Sequence, residues 1–246
     1  MKRWLLPLVL AGLMFPLLAR ADGPILMEPE TTHVDITADF AGTDVKTYGV
    51  IDGTGDLIIK VVGPRQDVTL FRKIKLGPFW VGGSEADVAG APSLLYLYAT
   101  KPIASLLSAA DQDKYQLRLE GAQIRVEPKL LGDSQADWRQ AFFRLKEKEG
   151  RYLEDDHAIK VIRNRLVVSD IVLPGDTQVG KYQIETLLIK SGKVVGHDVS
   201  YFEARQIGIE RWTWKAAHDH AWLFGVLCTL AAMVLGFFLN AIFHRQ

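Results

Sequence analysis

His218 and His220 flank Asp219 just before a long apolar run. On a strand, a His-x-His pair turns both rings to one side and binds Zn²⁺ or Cu²⁺; on a helix, residues two apart diverge. The segment leads into a helical stretch, so an interfacial polar role is favoured, with His218 and His220 as the fallback metal candidates. Glu154-Asp155-Asp156-His157 offers four potential ligands. Consecutive residues converge on one ion only with help from elsewhere, so a solvated loop is expected. Asp52-Gly53-Thr54-Gly55-Asp56 has the acidic and glycine content of a Ca²⁺ loop but not its spacing or distal Glu, and reads as a turn. His197-Asp198 lies on an expected strand, where neighbours face opposite sides, so no catalytic pair follows. The sequence contains no phosphate loop, GxSxG elbow, HExxH or EF-hand pattern. No cofactor is implied, and the expectation is a protein that is not an enzyme.

Other residues point to partners. Phe79 and Trp80 sit within Gly77-Pro78-Phe79-Trp80-Val81-Gly82-Gly83. Glycines around an aromatic pair permit close backbone approach and a tight bend, and fit either a buried aromatic at a strand end or an exposed patch that docks a partner. In the last apolar run Gly225, Ala232 and Gly236 are small, the last two four apart, a spacing that lets helices approach closely. Asn240 adds a polar group to that run, and Cys228 lies inside it.

The two ends decide where such residues act. Lys2 and Arg3 precede an apolar run from Trp4 to Leu18, and Ala19-Arg20-Ala21 follows. This is the pattern of a secretory signal, expected over residues 1–21. Ala221 to Phe243 is free of formal charge. At 1.5 Å per residue it makes a helix of about 34 Å, enough to cross a bilayer. Trp212, Trp214 and Trp222 mark an aromatic belt at its entry, and Arg245 in the tail 244–246 fits a cytoplasmic C-terminus. The expected arrangement is a bacterial inner-membrane protein with one span at 221–243 in contact with lipid. Residues 22–210 then form a periplasmic domain and 211–220 a tether.

The 246 residues carry 29 basic and 29 acidic groups. Zero net charge and the lack of a long basic stretch argue against nucleic acid as a partner. Lys2, Arg3, Arg20 and Arg245 lie outside 22–220, leaving 25 basic against 29 acidic residues and a net charge of −4 in the exported part. That average gives no reason to expect anionic-lipid binding. One Cys excludes an intrachain disulfide and a Cys-based zinc cluster.

Within the exported part, short alternating segments alternate with turn residues. Strands are expected at Val34–Phe40, Leu57–Val62 (buried on both faces), Val68–Ile74 and Ser93–Ala99, with a weaker one at Tyr115–Leu119. Further strands are expected at Leu166–Leu173, Tyr182–Lys190 and Lys193–Tyr201, the last two joined at Ser191-Gly192. Pro102 opens a helix through Ala110, with Thr100 as its cap. A second helix is capped by Ser134 or Asp133, buries Trp138, Phe142 and Leu145, exposes Lys146–Glu149 and ends at Gly150. The reading is a mainly β chain: a β-sandwich with a helical insertion near 100–150 and a C-terminal transmembrane helix. Two small domains split near 115–130 is the alternative.

Pro174 to Gly196 resembles the closing strands of immunoglobulin-like domains, with Gly180-x-Tyr182 in the place of a tyrosine corner. Gln178 stands where Asp is usual and Ile184 where Cys is usual, so the resemblance implies the fold class and not a true immunoglobulin domain. The whole chain resembles the alphaproteobacterial putative transmembrane protein family, on Phe40–Gly49 (FAGTDVKTYG), Gly77–Gly83 and the order of signal, strand-rich domain and span. That resemblance carries no catalytic residues and suggests a transport-linked partner. The functional expectation is a non-catalytic binding or assembly module for a membrane or envelope protein, with a transporter among the candidates. A periplasmic ligand or metal sensor, and then a hydrolase with a dispersed site, are the alternatives.

Overall fold

A computed structural model of the chain describes residues 23–130, 132–208 and 217–243. The expected signal (1–21), tether residues 211–216 with Trp212 and Trp214, and the tail 244–246 with Arg245 lie outside the described residues.

The strands are β1 (Ile25–Pro29), β2 (His33–Ile36), β3 (Gly42–Ile51), β4 (Asp56–Val62), β5 (Arg65–Leu76), β6 (Phe79–Pro92) and β7 (Leu95–Ala99), followed by β8 (Arg125–Pro128), β9 (Tyr152–Asp155), β10 (Ile159–Ile162), β11 (Leu166–Pro174), β12 (Gly180–Lys190) and β13 (Lys193–Gln206). The helices are α1 (Ile103–Leu106), α2 (Ala109–Tyr115), α3 (Gln135–Lys148) and α4 (Ala221–Phe243). One sheet has the order β1-β3-β11-β10, a second β2-β13-β12-β4-β7-β9, and a third β5-β6-β8.

Period-two burial makes the first two sheets a sandwich. Ile25, Met27, Val45, Ile51, Val167 and Ile171 of the first sheet share one buried cluster with Leu57, Ile59, Val61, Tyr182, Ile184 and Phe202 of the second. The outer face of the second sheet is apolar as well. There Ile58, Leu97, Ala99 and Leu187 are covered by Ile103, Leu106 and Leu107 of the first helical segment. β4 is therefore buried on both faces from Leu57 to Val61, Lys60 included. The third sheet packs Leu70, Ala86, Val88 and Val126 against Trp138, Phe142 and Phe143 of α3. The protein is thus mainly β: an immunoglobulin-like sandwich with a helical insertion and a C-terminal helix. Tyr182 is fully buried, stacks on Phe202 with ring centroids 4.9 Å apart, and donates its hydroxyl proton to the Gln178 carbonyl at 2.8 Å. That is the tyrosine corner, and it is built here without the usual Asp.

Several local expectations change. The first helix breaks at Leu107, which is extended; Ser108 then caps α2 by accepting from the Asp111 amide. A serine that starts a new helix ends the old one. Thr100 is not a helix cap, because its hydroxyl oxygen accepts from the Leu57 amide instead. Tyr115–Leu119 is not a strand: Tyr115 ends α2, and Gln116 closes it in the left-handed region. The strand from Val34 stops at Ile36, and a turn donates the Phe40 amide to Thr37. Ser134 caps α3, while Asp133 accepts from the Trp138 indole. The buried arc of α3 runs through Trp138, Phe142, Phe143 and Lys146, which leaves Leu145 exposed. Lys146 is not solvated: it is buried, with its ammonium 5.9 Å from the Phe142 ring centroid and 3.1 Å from Glu149.

β4 and β7 do not end with the second sheet. Gly63 donates its amide to Leu94 and Ser93 donates to Pro64, so the β4–β7 pair runs on into β5–β6. The result is one antiparallel ribbon, kinked at Gly63-Pro64 and Pro92-Ser93. Gly63 permits the kink, since a Cβ there would lie 2.4 Å from the Ser93 hydroxyl and 2.9 Å from the Tyr182 ring.

Candidate functional site

The distal half of the β5–β6 hairpin is the most exposed apolar element of the strand-rich region. Its register is Leu76↔Phe79, Lys75↔Trp80, Ile74↔Val81 and Lys73↔Gly82. Opposed residues share a face. Ile74, Leu76, Phe79 and Val81 therefore form one side of the tip, and Lys73, Lys75 and Trp80 the other. The turn is Gly77-Pro78; Gly77 has φ +62, and proline fixes the next φ negative, the signs of a type II′ hairpin turn. Phe79 is 71% exposed, Trp80 67%, Leu76 68% and Phe71 63%. The sequence motif thus places both aromatics in solvent, at the end of a hairpin.

Protein cover stops just short of the tip. Arg72 lies 4.7 Å from the Trp138 ring centroid and 3.7 Å from the Asp133 carboxylate, closing the α3 cluster. The Asp133 carboxyl is held below its usual range, first by a hydrogen bond from Ser84, then by the Trp138 indole and the Arg72 charge. Beyond Arg72, Lys73 and Lys75 form no ion pair among the described residues. No acidic residue occurs between Asp67 and Glu85. Phe71, Ile74 and Leu76 were missed as partner-binding candidates, because alternation over Val68–Ile74 reads as a half-buried strand.

A second apolar surface crosses the first sheet. Leu26 pairs with Val50, Val50 with Leu166, and Leu166 with Ile162. The four form one row over all four strands on the face away from the core, between 39% and 58% exposed. Their chain neighbours Ile25, Ile51 and Val167 fill the core. The sequence signal is the apolar doublets Ile25-Leu26, Val50-Ile51 and Leu166-Val167. They make both faces apolar, but only the register aligns the outer members.

A polar groove of about 490 Å³ lies over the second sheet, beside the C-terminus of α2. On its floor Lys60 pairs with Glu185 at 2.5 Å and donates to the Tyr115 carbonyl at 2.7 Å. The other Glu185 oxygen lies 3.0 Å from His197 Nε2. Asp198 points the other way and accepts from the Met27 amide at 2.7 Å, so His197 and Asp198 do sit on opposite faces. Glu185 is thus held between Lys60 and His197.

The metal-ligand candidates separate. Asp155, Asp156 and His157 bring ligand atoms within 4.8 Å of one another in an exposed turn. His157 pairs with Asp156 and donates its amide to Asp155 at 2.8 Å, which is ordinary turn chemistry. Glu154 is outside this group; burial first, and then the Asp156 charge, push its carboxyl up. Residues 217–219 are helical and His218 and His220 are exposed, so residues two apart diverge there. No metal-competent group among the described residues includes either histidine.

α4 is free of formal charge, and Ala221–Phe238 is long and apolar enough to cross a membrane, with none of it buried. Gly225, Ala232 and Gly236 fall within about 40° of one another on the helix, so they share one face. Thr229 on that same face donates to the Gly225 carbonyl at 2.9 Å.

A strand-rich sandwich followed by one membrane-competent helix among the described residues fits a class, membrane proteins that carry a folded β-rich region beside a span. The chain belongs to the family described as "Putative transmembrane protein (Alph_Pro_TM)", alphaproteobacterial by name, which matches residues 25–245. Family and span both fit a membrane location. No curated protein matches the sequence. Among solved structures, a chain described under "Structural basis of T cell specificity and activation by the bacterial superantigen toxic shock syndrome toxin-1" is similar at 7% identity. The match covers 74% of this chain and 99% of that one with a TM-score of 0.29, a likeness that carries no argument here.

Proposed function

We propose that this protein is a non-catalytic binding or assembly module of the bacterial inner membrane. Residues 1–21 direct export, the sandwich stands in the periplasm, Ala221–Phe243 anchors it, and the C-terminus is cytoplasmic. Its partner is a membrane or envelope protein, with a transporter among the candidates. Anchoring confines the sandwich to the membrane surface, which raises its effective concentration for a membrane-bound partner without tight contacts.

The observation that carries this reading is the row Leu26, Val50, Leu166 and Ile162 across the outer face of the first sheet. A flat, uncharged row flanked by Glu28 and Lys160 has the form of an interface core with a polar rim. The test is a photo-crosslinking residue at Val50 in intact membranes. A single membrane-protein adduct, lost on Leu166→Asp, is expected. A folded protein that yields no adduct at Val50 overturns the reading.

A further inference from the structure

We propose that the β5–β6 hairpin tip is a second membrane contact, which enters the headgroup region of an anionic lipid surface while α4 crosses the bilayer. This goes beyond the protein-docking role of the sheet face and does not depend on it.

Three observations converge. The first is position. β13 runs parallel to β4, because both are antiparallel to β12. Val62, where β4 ends, lies level with Gln183 and Tyr201, and β13 continues from there to Gln206. The chain therefore leaves for its span from the same end of the second sheet at which the hairpin emerges. β5 has 12 residues, an arm of about 40 Å. Ten residues, 207–216, separate β13 from the helical residues 217–219, at most roughly 36 Å of chain. The tip therefore lies within reach of the surface to which the domain is tethered.

The second is shape. Apolar side chains project from both sides of a two-stranded ribbon: Ile74, Leu76 and Phe79 on one, Trp80 on the other. A flat protein surface covers only one side of such a ribbon. A lipid interface surrounds an inserted tip on every side.

The third is composition. Phe and Trp are favoured at the headgroup level, and Lys73 and Lys75, exposed on the Trp80 side, offer ammonium groups to lipid phosphates. No acidic residue from 68 to 84 opposes them. The net charge of −4 over residues 22–220 is an average that does not describe this local cationic end.

The test uses the full chain with Cys228→Ala and Phe79→Cys, the new thiol carrying an environment-sensitive fluorophore, reconstituted in vesicles. A control places the fluorophore at Val195, which is exposed beside the Ser191-Gly192 turn at the opposite end of the second sheet. In phosphatidylcholine vesicles containing 30% phosphatidylglycerol, the probe at 79 is expected to shift to the blue and to be quenched by headgroup-proximal nitroxide lipids. The probe at 195 stays aqueous. Lys73→Glu with Lys75→Glu, or removal of the anionic lipid, cuts the fraction of quenched tips at least tenfold. A melting curve like that of the parent confirms that these exposed substitutions leave the fold intact. A probe at 79 that stays aqueous on anionic vesicles overturns the proposal, as does equal quenching at 195. Protein adducts at the tip in native membranes without lipid quenching also overturn it, and reassign the tip to a protein partner. The Val50 crosslink is read separately and stands or falls on its own.

Discussion

The two halves of one ribbon behave differently. In the proximal half, Leu57, Ile58, Ile59 and Val61 are completely buried, as is Leu97 opposite them. In the distal half, Phe71, Leu76, Phe79 and Trp80 stand more than 60% exposed. Both halves are rich in strand-forming apolar residues, so propensity does not separate them. What separates them is cover: the proximal half has a sheet beneath and helices above, while the distal half runs past the end of α3. Apolar surface kept uncovered in a stable fold is surface held for something else.

The sharpest way to break this comparison is to truncate one aromatic in each kind of place. Phe142→Ala removes a fully buried ring packed against Phe143 and Tyr152, and should cost about 3–5 kcal/mol. Phe79→Ala should change stability by no more than about 0.5 kcal/mol. Thermal melts of the full chain in detergent decide it, and equal losses would mean that the tip is part of the core. Next in size is Glu185→Ala, which removes the carboxylate paired with the nearly buried Lys60 ammonium and leaves that charge with only the Tyr115 carbonyl; about 3 kcal/mol should be lost. Adding Lys60→Met should recover most of that loss, because the unpaired charge goes with it. Tyr182→Phe keeps the stacked ring and deletes the bond to Gln178, so about 1 kcal/mol is expected in the same melts.

The smallest effect is a pH dependence at the hairpin root. The depressed Asp133 carboxyl contributes stability that is fully present above the ordinary Asp value, about 4, and is lost as pH falls through its lower folded value. Asp133→Asn should flatten that acid limb of the melting profile and leave the profile above about pH 5 parallel to the parent.

How much was legible follows from how local each signal is. The β4 run, the Ser191-Gly192 turn, the Ser134 cap and the Gly-x-Tyr corner each lie within a few residues, and each appears where its residues indicate. β1, β3, β8, β9 and β10 gave weak signals because they are short or carry charge on the outer face. The break at Leu107 escaped because an apolar helical pattern continues through it, while Ser108 makes a better start than middle. Phe79 and Trp80 were legible as an unusual motif, but their exposure was not, since it depends on where α3 ends. The row Leu26–Val50–Leu166–Ile162 was not legible, because its members lie up to 140 residues apart and meet only through register.

The central claim is that the sandwich stands outside the cytoplasm, tethered by its last helix. Alkaline phosphatase fused after Gly208, so that the whole strand-rich domain precedes it, tests this directly, since the enzyme is active only when exported. The account predicts high phosphatase activity from that fusion. An inactive phosphatase, together with a fluorescent cytoplasmic reporter at the same position, would contradict it.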